Sequence, residues 1–206
     1  MTSTISNLQI FISALIGGTV TALLYPIVRY FFVRWLNTKN LKIELRQPDK
    51  SPMNPHISHP LCVVNKSVST IKSATCFIFM EYLPEDIVSI DQEPNIHSYR
   101  SNSAYQWVSL SWARIIDDKI RSVADLNVRE EATLNIFRFH KRGDARPILQ
   151  VASEQGFHKP GTSRTGRVLL FGDKDYLFSV MVTGDNIFPV NKSFRFNHRG
   201  CYIEEF

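Results

Sequence analysis

No charged side chain occurs in the first 28 residues, and the whole chain of 206 holds only three cysteines. Met1–Gln9 lacks Lys and Arg, which excludes the basic n-region of a cleaved secretory signal. Cys62, Cys76 and Cys201 make no even framework and no C-x-x-C spacing. That excludes a disulfide scaffold and fits a reducing cytosol, with Cys62 and Cys76 as buried thiols inside apolar runs. No H-E-x-x-H, G-x-S-x-G or Walker pattern is present, so no enzyme activity and no cofactor are expected. His56 and His59 lie in a Pro-rich stretch, and His97, His140, His158 and His198 have no matching carboxylate spacing, so no metal site is expected. Asp117-Asp118, Glu130-Glu131 and Glu204-Glu205 are adjacent pairs that a strand would turn to opposite faces, which reads as solvated surface. Internal repeats and low-complexity tracts are also missing.

What the charge-free start contains instead is an apolar run, Ile10 to Val28. As a helix it comes close to the roughly 30 Å of a bilayer core. The sequence therefore predicts a short extracytoplasmic N-terminus over 1–9, a transmembrane anchor over 10–33 and a juxtamembrane linker over 34–40. Arg29, Arg34, Lys39, Lys42 and Arg46 follow the run and no basic residue precedes it, which by the positive-inside rule puts residues 41–206 in the cytoplasm of a single-pass protein of the cell membrane. Arg29, Tyr30, Arg34 and Trp35 are the expected membrane-interface residues. Ser13, Gly17 and Thr21 on one ridge, and Ala14, Gly18 and Ala22 on the next, have the four-residue spacing that lets membrane helices pack, so a homo-oligomer through this face is a candidate. Pro26 removes one helical hydrogen bond near the inner end.

The remaining length suits one domain. Its periodicity is mostly two: Leu41, Ile43 and Leu45, then Val108, Leu110 and Trp112, then Phe194 and Phe196 alternate with other residues as half-buried strands do. Leu61–Val64, Thr75–Tyr82, Ala132–Phe139, Val168–Phe171 and Tyr176–Val182 are apolar on both faces and suit central strands. Asn65-Lys66-Ser67, Gly172-Asp173-Lys174-Asp175 and Gly184-Asp185-Asn186 supply turns. Pro48 to Pro60 reads as a loop between the first two strands, and residues 111–125 as one short helix or an irregular crossover. The predicted fold class is an N-terminal transmembrane helix followed by an all-β domain, an antiparallel β-sandwich.

The succession LCVVNKSVSTIKSATCFIFMEY, ATLNIFRF and DYLFSVMVTGDN leading to KSFRF resembles the strand pattern of immunoglobulin-like domains of the CARDB type, and of single-anchor prokaryotic membrane proteins that carry one. Asp173 and Tyr176 resemble the entry to a tyrosine corner, with Phe178 standing where immunoglobulins proper have a cysteine. The resemblance covers residues 41–83 and 130–197 and implies a fold, not an activity.

Charge is uneven along the domain. Residues 138–167 hold seven basic side chains against two acidic ones. Lys141, Arg142, Arg146, Lys159, Arg164 and Arg167, interspersed with Gly161, Ser163, Thr165 and Gly166, are the candidate anion-binding residues; the same segment also reads as a solvated hairpin. Phe157 is the single aromatic residue between Lys141 and Arg167, which argues against single-stranded nucleic acid. The sequence thus predicts a membrane-anchored, non-enzymatic scaffold whose β-sandwich binds a protein partner. The competing expectation is a sensor-effector in which residues 138–167 bind a nucleotide, another anionic small molecule or a lipid headgroup and alter association of the helix in the bilayer.

Overall fold

The computed structural model describes residues 2–47, 56–86, 108–110, 112, 115–116, 119–120, 123–140, 147–151 and 168–206. A long helix, α1 (Thr2–Lys39), leads into the domain, and its side chains are described from Gly17 onward. Asn40 ends it by donating from Nδ2 to the Leu36 carbonyl at 2.9 Å. The chain turns at once into β1 (Leu41–Leu45).

Two antiparallel sheets then form a sandwich-like pair. The first is ordered β1, β2 (His56–Asn65), β8 (Glu131–His140), β9 (Ile148–Val151) and β10 (Val168–Phe171). The second runs β13 (Tyr202–Glu205), β12 (Val190–Asn197), β11 (Tyr176–Thr183), β3 (Ile71–Met80) and β4 (Val108–Leu110), with β7 (Val123–Leu126) also on β3. Period-2 patterning builds the core: Tyr176, Phe178, Val180 and Val182 of β11 and Ala74, Cys76, Ile78 and Met80 of β3 are all buried. An aromatic seam joins the sheets, with Phe137 edge-on to Phe178 at 4.8 Å and Phe178 stacked on Phe194 at 5.4 Å. Tyr176 is buried too, and its hydroxyl donates to the Phe171 carbonyl at 2.7 Å, which ties the β10–β11 turn to the strand that follows. Cys62 and Cys76 are buried free thiols.

One register break explains a run that is apolar on both faces. His59 pairs with Phe137 but Pro60 pairs with Asn135, which leaves Ile136 as the extra residue of a β-bulge. The bulge shifts the phase of β8, so that Ala132, Leu134 and Ile136 are buried before it and Phe137 and Phe139 after it. Pro60, having no N–H to give, sits where the ladder is already interrupted. The stretch expected as loop through Pro60 is therefore strand from His56; residues 48–55 lie outside the described residues.

Two further expectations are corrected. Among the described residues no helix is long and apolar enough to cross a membrane, so the transmembrane anchor over 10–33 is not part of the fold class. The physical reason lies in the described length of α1: Arg29, Arg34 and Lys39 interrupt it, and its last turns, where a linker was expected, are spent on contacts with the domain. Without a crossing, the assignment of residues 1–9 to the outside and 41–206 to the cytoplasm of a single-pass cell-membrane protein loses its basis. Of the two expectations for 111–125, a short helix or an irregular crossover, the helix is also replaced. Ile115–Ile116 (β5) and Lys119–Ile120 (β6) pair antiparallel, and β7 extends the second sheet. β-Branched Ile115, Ile116, Ile120 and Val123 favour strands over a helix. Trp112 is buried and donates from Nε1 to the Ala74 carbonyl at 3.1 Å.

Candidate functional site

The seat of α1 on the sandwich gathers the most unusual arrangement of side chains. It begins with the β11–β12 turn. Gly184 approaches the Lys72 carbonyl so closely that a Cβ would sit 2.9 Å from it, so glycine is required there. Asp185 N–H donates to that same carbonyl at 3.0 Å. Asn186 then locks the turn, accepting from the Lys72 N–H on Oδ1 at 3.0 Å and donating from Nδ2 to the Thr70 carbonyl at 2.9 Å.

The last turns of α1 grip that turn. Arg34 donates from Nε to the Ile187 carbonyl at 2.6 Å, and its guanidinium lies 4.7 Å from the centre of the Phe188 ring. Asn37, fully buried, donates to the Asn186 carbonyl at 3.2 Å and accepts from Ser69 Oγ at 3.0 Å. Thr38 Oγ1 accepts from the Phe188 N–H at 2.8 Å and donates to the Arg34 carbonyl at 2.7 Å. Phe31 stacks on Phe188 with ring centres 6.4 Å apart. Polar groups that would otherwise be stranded are satisfied on both sides of the joint, so the angle at which α1 leaves the sandwich is specified by directional bonds.

Beyond this seat the helix is uncovered. Val20, Leu23, Leu24, Ile27 and Val28 are exposed, Leu23 to 66%, and so are Tyr25, Tyr30, Phe31, Phe32 and Trp35. Built Cβ atoms on Gly17 and Gly18 meet nothing within 4 Å. Where the helix meets the turn, a groove of about 440 Å³ opens. Tyr25, Arg29 and Val33 form one of its ridges and Pro26, Tyr30 and Arg34 the next, each at four-residue spacing, with Asn186 on the opposite side.

The expected site residues distribute unevenly over this picture. Arg29, Tyr30 and Arg34, expected as membrane-interface residues, line the groove, and Trp35 stacks on Phe32 with the Lys39 ammonium 5.2 Å from its ring centre. Of the helix-packing residues, Gly17, Gly18, Thr21 and Ala22 are exposed, and Thr21 Oγ1 bonds back to the Gly17 carbonyl at 2.7 Å. The side chains of Ser13 and Ala14 lie outside the described residues. So do Lys141, Arg142, Arg146, Lys159, Arg164 and Arg167; the segment that holds them contains strand β9 in its middle. Asn37, Thr38, Asn186 and Phe188 escaped the sequence reading, although Gly184-Asp185-Asn186 stood out as a turn.

Another polar cluster lies at the opposite end of β12. Asp175 accepts from the His198 N–H at 2.9 Å, pairs with His198 Nδ1 at 2.7 Å and binds Arg195 at 2.5 Å. The backbone N–H and ring of His198, with help from Arg195, hold its carboxyl down at about 2. These bonds brace the hairpin that joins β12 to β13, a structural task. Among the described residues no group of His, Cys, Asp and Glu is placed to hold a metal ion.

No family model, no curated protein and no solved structure matches this chain.

Proposed function

We propose that the chain is a non-enzymatic binding module in which the β-sandwich serves as a rigid base and the uncovered length of α1 is the arm that takes a protein partner. The observation that carries this reading is the contrast along one helix: Arg34, Asn37 and Thr38 are bonded to the sandwich, while Val20 to Val28 stand apolar and exposed. Contiguous apolar surface of this kind marks a recognition site in proteins. Covering one such Leu or Ile side chain is worth about 1.5–3 kcal/mol, so a partner that covers a few of them gains enough to bind specifically. A helix presented in this way suits an apolar groove on the partner, which reads anchors at helical spacing.

The test is site-specific photo-crosslinking in the producing cell. A crosslinking side chain at Leu23 or Ile27 is expected to give one discrete adduct that the same group at Val128, exposed on the sandwich, does not give. Equal adduct patterns from both places, or none from the helix, would remove the proposal.

A further inference from the structure

The groove beside α1 has a chemistry that the partner-binding reading does not use. Arg29 lines it, and among the described residues its guanidinium has neither a carboxylate nor a hydrogen-bond partner. Arg34 lines it as well, with Nε spent on the Ile187 carbonyl and Nη1 on the Tyr30 hydroxyl at 3.1 Å, while Nη2 makes no bond to a described residue. Among the described residues no acidic one contributes to the lining, whereas Tyr25, Pro26, Tyr30 and Val33 give it apolar walls. The volume of about 440 Å³ falls within the roughly 300–1,000 Å³ typical of small-molecule sites. Two cations without a counter-charge among the described residues, set in aromatic and aliphatic walls, complement one kind of molecule.

We propose that this groove binds a small amphiphilic anion, a carboxylate or a phosphate ester with a short apolar tail. Guanidinium groups meet carboxylate and phosphate oxygens with paired, charge-assisted hydrogen bonds, which fixes the head. The tail lies along Tyr25, Pro26 and Val33. Because the two ridges of the groove belong to α1 and the opposite side belongs to Asn186 of the turn, the ligand would bridge helix and sandwich at their joint. The site lies outside residues 138–167, where the sequence pointed to an anion.

Calorimetry of the full chain against four probes tests the proposal: octyl phosphate and decanoate below their micellar concentrations, 1-octanol, and inorganic phosphate. Both amphiphilic anions are expected to give saturable one-to-one binding, and whichever binds more tightly identifies the head. Octanol and inorganic phosphate are each expected to bind at least about tenfold more weakly, since each supplies half of the match. Arg29→Gln should weaken the anions about tenfold or more and leave the thermal midpoint in place, because Arg29 has no described partner to lose. Tyr25→Ala should weaken octyl phosphate while leaving inorganic phosphate unchanged. Silence toward both anions, octanol binding as tightly as octyl phosphate, inorganic phosphate doing the same, or unaltered affinity in Arg29→Gln would each overturn it.

Discussion

Phe194 and Phe32 are the same residue in two opposite situations. Phe194 has no solvent exposure and stacks on Phe178 between the sheets, whereas Phe32 is exposed to 56% and touches only its helical neighbour Trp35 among aromatic rings of the described residues. The sandwich buries most of its described large apolar side chains and exposes a scattered few; the described length of the arm exposes most of its own. Hydropathy is alike in the two places, so what separates them is the direction each side chain is given by its element. A strand sends alternate residues into one shared layer, and two sheets facing each other close that layer. The described length of α1 beyond its seat, largely apolar over 20–28, has no such layer to face and leaves those side chains uncovered.

The comparison breaks most visibly in the core. Phe194→Ala removes a ring from the aromatic seam and leaves a cavity that close-packed neighbours fill only in part, at a cost of about 3–5 kcal/mol. That approaches the full stability of many domains. Denaturant melts should show a large loss of midpoint in Phe194→Ala, or no folded baseline at all. A midpoint near that of the unaltered chain would mean that the two sheets are not packed as described.

Between core and arm stands the joint, and Asn37 is its most buried polar group. Asn37→Ala removes the partner of the Asn186 carbonyl and of the Ser69 hydroxyl at a part-buried interface, with an expected loss of about 1–3 kcal/mol. Amide exchange should report it locally. The Phe188 N–H, held by Thr38 Oγ1, should lose protection more than the amides of β11, because the seat opens before the sandwich does. Equal loss of protection in both would show that helix and sandwich unfold as one unit.

How much of this was legible in the residues depends on whether the signal is local. Leu41–Leu45 and Val168–Phe171 are strands at the positions their patterns indicate, because alternation or a short apolar run needs no distant partner to be read. Ala132–Phe139 was legible as a strand, but the reason for its two apolar faces was not, since the bulge at Ile136 exists only through pairing with His59 and Pro60. Tyr202–Glu205 escaped notice for a similar reason: it is mostly polar, and the Phe206 N–H to Ser193 carbonyl bond and the Arg195–Glu204 pair that hold it to β12 are tertiary facts. The N-terminal run shows its apolarity, its small-residue ridges and its basic flank, all of them local. Apolarity reports that a helix needs cover and not which kind, and Arg34, Asn37 and Thr38 looked like the polar flank of a span until their partners on the 186–188 turn came into view.

The smallest effect sharpens the comparison most. Leu24 is exposed to 52% on the arm, and Gln matches Leu closely in helix propensity, so Leu24→Gln should change the free energy of unfolding by no more than about 0.5 kcal/mol. The same substitution deletes an apolar anchor that a partner would cover. It should therefore lower the yield of the Leu23 crosslink several-fold while the melting curve stays where it was. A core leucine cannot behave this way: Leu134, wholly buried on β8, would carry its polar replacement into the packed layer and lose stability first. A side chain that costs nothing to alter in the isolated chain, yet matters to what the chain binds, holds its energy in reserve for a contact made with another molecule.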